Sequence, residues 1–198
     1  MSEIDVCHAV KDKYPDYEDL LACSKSTTGP SITLSDKKTK KGRPRVMMVE
    51  LPVENSQENS EMEFVAEVSV LNNQAFKFRL SDRNFMHPPL IRYDSKGIAH
   101  RNPSANQPLS EQKVEKPHFQ RFNENGEPFA YKTDKLKTKE GEDELSNAIY
   151  CVMHFYEEAN MDHDGDLPTL SIEPSGEPQL FPTLPQQIDP NSHVHYFA

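Results

Sequence analysis

Tryptophan is absent from these 198 residues, and there are only 7 glycines. No apolar run approaches the roughly 18–20 residues that a membrane-crossing helix needs, which argues against a membrane protein. The first ten residues, MSEIDVCHAV, carry neither a basic stretch nor an apolar core, so a secretory signal is not expected. The 3 cysteines, at positions 7, 23 and 151, form no Cys-x-x-Cys pair. They read as reduced thiols that pack as small hydrophobes in a cytosolic protein; a Cys7–Cys23 bridge or a Cys/His metal site stays open as an alternative. Also missing are a GxxxxGK[ST] phosphate loop, a GxGxxG turn, an HExxH helix and a GxSxG elbow. Nucleotide-dependent, zincin and serine-hydrolase chemistry are disfavoured accordingly, and no cofactor is expected.

Hydrophobic residues make up 35% of the chain and its mean hydropathy is −0.79. A modest core with sizeable solvated segments follows. The 16 prolines favour strand ends and extended connections over long helices.

Charge is unevenly placed. The net formal charge is −10, yet the segment KKTKKGRPR over 37–45 holds 6 cations and no acid. The rest of the chain therefore carries 16 basic against 32 acidic residues, or −16. Lys37, Lys38, Lys40, Lys41, Arg43 and Arg45 form a candidate phosphate clamp, or a solvated loop between elements. An acidic body repels nucleic acid unless its cations gather on one face; it also suits a protein that imitates a nucleic acid's charge.

Periodicity predicts the elements. Residues 3–24 read as helical, interrupted near Pro15. Residues 25–45 read as loop with a short strand at 31–34. Residues 46–53 (VMMVELPV), 63–71 (EFVAEVSVL) and 75–80 (AFKFRL) read as strands, the last two as a hairpin with a period of two across Asn72-Asn73. Residues 90–93 make a short strand, and 118–122 with 128–132 a second hairpin around NENG. Residues 142–160 form the best helix, with Leu145, Ala148, Ile149, Val152, Met153 and Tyr156 as its apolar stripe; His154 falls on its polar side. The expected fold is α+β: an antiparallel sheet of about five or six strands with that helix packed on it and an N-terminal helical segment. Residues 1–160 form the domain, and 161–198, with 6 prolines, an extended tail.

The stretch from Ile91 to Tyr131 most resembles a site. His100 is followed by Arg101, and His118 lies three residues before Arg121. Metal-free RNA cleavage needs a base for the 2′-hydroxyl, an acid for the 5′-oxygen and a cation for the phosphorane. Two histidines supply the proton transfers and an arginine the charge. Asn102 and Tyr131 are placed to orient phosphate or stack a base. The bland alternative is a pair of structural histidines capping turns. Asp162–Asp166 followed by Glu173 has the carboxylate spacing of a calcium loop, but Leu167 stands where glycine is required and no helix follows; an acidic helix-ending turn is the plainer reading. His193 and His195 alternate on an extended segment without a third ligand, so no metal site is expected.

The pattern RYD-x-x-G-x-x-HRNP, then PHFxxF, G-x-x-FAYK and FYEEANM resembles a family of small proteins from bacterial phages and mobile elements, over about residues 85–161. In that family the second strand often carries His-x-His; here it is His118-Phe119-Gln120, so one histidine is replaced. Only His100, Arg101 and His118 carry over. The resemblance implies a host–element conflict role: an RNA-directed, toxin-like activity or an anti-defence protein such as a type II anti-CRISPR. Two functional expectations follow. One is a metal-independent endoribonuclease acting on structured RNA such as a CRISPR guide. The other is an acidic inhibitor that occupies the nucleic-acid channel of an effector such as Cas9. An antitoxin-like accessory role remains a third.

Overall fold

The computed structural model describes residues 6–29, 31–37, 46–70, 72, 74–102, 108, 110–164 and 167–172. Two short helices lead, α1 (His8–Asp12) and α2 (Tyr14–Ala22). The break falls at Lys13, with Pro15 in the first turn of α2, where its missing N–H costs nothing. Strands β1 (Lys25–Thr27) and β2 (Ile32–Lys37) follow. The antiparallel run β3 (Val46–Asn55), β4 (Met62–Ser69), β5 (Phe76–Asp82) and β6 (Ile91–Asp94) forms the sheet's centre. A small ribbon of β7 (His100–Arg101) and β8 (Lys113–Val114) comes next. The hairpin β9 (His118–Phe122) and β10 (Pro128–Tyr131) returns to pair β9 with β6. The chain then forms α3 (Lys139–Glu144), α4 (Ala148–Glu158), β11 (Met161–His163) and β12 (Leu170–Ile172).

The α+β class holds, but among the described residues the sheet has ten strands, not five or six. Its main order is β10-β9-β6-β5-β4-β3-β1-β11, and β2 bridges β3 and β12. The additional strands β1, β11 and β12 are three residues each and lie in segments without clear periodicity, while β2 covers the short strand expected at 31–34. β1 runs parallel to β11, and β2 parallel to β12. Residues 161–172, expected to begin the tail, thus supply two strands of the sheet.

The single helix expected over 142–160 is two. Asn147 interrupts it because its side chain accepts a hydrogen bond from Ile149 N at 2.9 Å, which starts α4 as a cap. Thr138 caps α3 in the same way through Gly141 N. The buried stripe of α4 is Ala148, Cys151, Val152, Phe155 and Tyr156. Ile149, expected inside, is 49% exposed. Phe155 and Tyr156 lie against Phe64, with ring centroids 5.6 and 5.1 Å away, and Phe155 also meets Phe78 and Phe119.

One face of the central sheet therefore carries the core, with Phe64, Phe78, Tyr93 and Phe119 all fully buried. Cross-strand register puts Arg92 opposite Gln120 and Asp94 opposite His118. These four alternate with Tyr93 and Phe119 along their strands, so they occupy the other face. Tyr17 fastens α2 to the sheet: its hydroxyl donates to Leu90 O at 2.7 Å and accepts from Phe122 N at 3.0 Å. Asn102, just after β7, donates to Ala130 O and accepts from Ala130 N, at 2.6 and 2.7 Å.

Candidate functional site

The sequence-predicted histidines do meet. The His100 and His118 rings lie 6.1 Å apart, edge to face at 79°. Folding of the β7–β8 ribbon beside the hairpin brings His100 across, where its Nε2 lies 3.3 Å from Pro128 O.

His118 is fully buried and both its ring nitrogens are engaged. Gln120 Nε2 lies 2.7 Å from His118 Nε2, and His118 Nδ1 lies 3.3 Å from Glu115 O. Gln120 Oε1 takes a hydrogen bond from Arg92 Nη2 at 2.6 Å, which turns the amide NH₂ toward the histidine. His118 Nε2 is then the acceptor, and Nδ1–H donates to Glu115 O. This is the neutral tautomer. Burial, reinforced by the Lys116 ammonium, pushes the imidazole down to about 4. Burial also lowers His100.

Asp94 organises the neighbours. Lys116 Nζ donates to Asp94 Oδ2 at 2.7 Å, with both side chains nearly out of water. Gln120 Nε2 reaches the same oxygen at 3.3 Å. Arg92 Nε lies 3.0 Å from it, at an angle that makes no hydrogen bond. Two cations thus meet one carboxylate. Their mutual proximity and burial hold Lys116 below the usual lysine range, burial being the larger cause.

The chain matched no family model, no curated protein and no solved structure. Assignment therefore rests on the residues themselves.

The predicted site does not assemble as a whole. Arg121 pairs with Phe129 and Tyr131 with Phe119, which sets both on the sheet face opposite His118 and Gln120. The Arg121 guanidinium lies over the rings of Phe129 and Tyr131, 5.3 and 5.1 Å from their centroids. Tyr131 stacks on Phe119 at 5.7 Å and donates to Glu158 at 2.7 Å, so its ring is occupied by the protein itself. Arg101 donates to Gln112 at 3.1 Å within the ribbon. Lys37 ends β2; Lys38, Lys40, Lys41, Arg43 and Arg45 lie outside the described residues.

His154, expected to face solvent, instead has its Nε2 2.8 Å from Thr133 Oγ1, with its ring against Phe119. Asp164 accepts from Gly29 N at 2.7 Å, which ties the turn after β11 to the loop after β1. Among the described residues no group of three or more His, Cys, Asp or Glu could hold a metal, and no helix is long and apolar enough to cross a membrane. Glu173, His193 and His195 lie outside the described residues. Cys7, Cys23 and Cys151 are all free thiols.

Sequence reading missed Arg92, Asp94, Lys116 and Gln120 as site residues. A usable signal was present in the period-two pattern. Arg92 and Asp94 share one strand face, as do His118 and Gln120, and antiparallel pairing of the two strands makes them one cluster.

Proposed function

We propose that this protein acts by binding rather than by cutting, as an acidic factor that occupies a basic nucleic-acid-binding surface. The observation that supports this most is charge placement. The chain outside 37–45 carries −16. Among the described carboxylates only Asp82 and Asp94 are buried; some of the others pair with cations of the chain, such as Glu67 with Arg79 and Glu142 with Lys132. The partner class is a basic channel such as that of a Cas9-type effector, and the biological role is anti-defence on behalf of a mobile element. Charge complementarity of this kind speeds association and is screened by salt.

A ribonuclease reading is second, and the 6.1 Å approach of His100 to His118 is what favours it. Against it, a buried neutral imidazole with both nitrogens bonded cannot act as a general acid near neutrality without first leaving its pocket.

One experiment separates the two. Purified protein is incubated in EDTA with labelled guide and transfer RNAs, and in parallel titrated against a guide-loaded Cas9-type effector. The binding reading expects intact RNA and an effector complex that weakens by about tenfold or more as salt rises from roughly 50 to 200 mM, unchanged in His100→Ala. Discrete RNA cleavage that disappears in His118→Ala would overturn it in favour of the ribonuclease. An effector complex indifferent to salt would also count against charge mimicry.

A further inference from the structure

Beside the Arg92–Gln120 pair the sheet opens into a cavity of about 340 Å³, walled by Val6, Pro89, Phe122 and Pro128, with Arg92, Gln120 and Arg121 as polar lining. That volume lies at the lower end of the range for small-molecule sites, roughly 300–1,000 Å³. Such sites pair apolar walls with a few convergent polar groups, which is the composition here.

The polar side is unbalanced. Arg92 and Lys116 share the single carboxylate of Asp94. Gln120 is committed on both ends, its oxygen to Arg92 and its nitrogen to His118 and Asp94. Arg92 is therefore held in place, yet its side chain is 38% exposed. Its Nε is buried 3.0 Å from Asp94 Oδ2 and is not presented to the cavity, but among the described residues no hydrogen bond comes from its Nη1. A rigid guanidinium with donor capacity to spare, beside a local excess of positive charge, is completed by an anion. One fork fits one carboxylate, whereas a phosphate dianion calls for further donors; Arg121 also lines the cavity, but its guanidinium lies over the Phe129 and Tyr131 rings. The walls call for an apolar body.

We infer that this cavity binds a small carboxylate carried on an apolar body, with Arg92 as the carboxylate-recognising residue. The inference is independent of the effector-binding reading. It assigns buried His118 and Asp94 a positioning role: they hold Gln120 and Arg92 in place, while Gln120 itself lines the cavity beside Arg92.

The test uses the whole chain and three probes: 4-methylpentanoate, its neutral amide 4-methylpentanamide, and inorganic phosphate. Backbone amide NMR shifts of Val6, Gln120 and Phe122 report on the cavity. The carboxylate is expected to shift these signals saturably, and the amide and phosphate to bind at least about tenfold more weakly. Arg92→Lys keeps the charge but loses the fork, and is expected to weaken the carboxylate by about tenfold. Equal binding of acid and amide, phosphate binding as tight as the acid, or no shift with any probe overturns the proposal. Unchanged affinity in a folded Arg92→Lys overturns it as well. The comparison of probes is made on the unaltered protein, so it stands even where the variant fails to fold.

Discussion

At the scale of the residue, His118 makes stability depend on pH. Its folded-state value, about 4, lies below the roughly 6.5 of a free histidine. The folded protein keeps the ring neutral, so between those two values the unfolded chain binds more protons. Stability is then full above about 6.5 and falls as pH drops toward about 4, a loss on the order of 3 kcal/mol from this group. Lowering of His100 by burial acts in the same direction. Urea unfolding at pH 7 and at pH 4.5 measures it. The wild type should lose more stability across that interval than His118→Asn, whose side chain does not titrate. Equal losses would mean that the imidazole is free to protonate in place. Sequence reading reached the histidine pair but gave Arg121 and Tyr131 to the same site. A strand's alternation sends Arg121 to the opposite face from Gln120, and loop-borne Lys116 enters only because the fold carries it to Asp94.

At the scale of the element, legibility tracks how local the cause is. The β4–β5 hairpin was visible because Phe64, Ala66 and Val68 recur with a period of two against Glu63, Val65, Glu67 and Ser69, Phe76, Phe78 and Leu80 alternate with Lys77 and Arg79, and a short turn joins them. The α3–α4 break was hidden because Leu145 continues the apolar pattern straight across it. Only the Ser146-Asn147 pair marks the stop, through a side chain that caps the next helix. Asn147→Ala should therefore cost about 1 kcal/mol, read as a lower denaturation midpoint with an unchanged denaturant slope. No change would mean that tertiary packing alone sets the start of α4. β1 was less legible than β2, which covers the short strand expected at 31–34. Each pairs with β3 on one side, but its parallel partner on the other, Met161–His163 or Leu170–Ile172, lies more than a hundred residues away.

At the scale of the whole molecule, the order of strands decides what the surface can do. β10 lies at one end of the main sheet path, where backbone groups without a neighbouring strand invite pairing with another chain. Asn102 offers Ala130 a carbonyl and an amide in the places where an eleventh strand would offer its own. Asn102, beside His100 on Pro128 O, thus closes part of an otherwise adhesive border. Asn102→Ala should leave the fold in place and make light scattering rise with protein concentration as copies join edge to edge; a variant that stays monodisperse would show the border closed by other means. For a protein proposed to work by occupying a partner's channel, this asparagine has a second meaning: it keeps copies of the chain from engaging one another before they reach that partner.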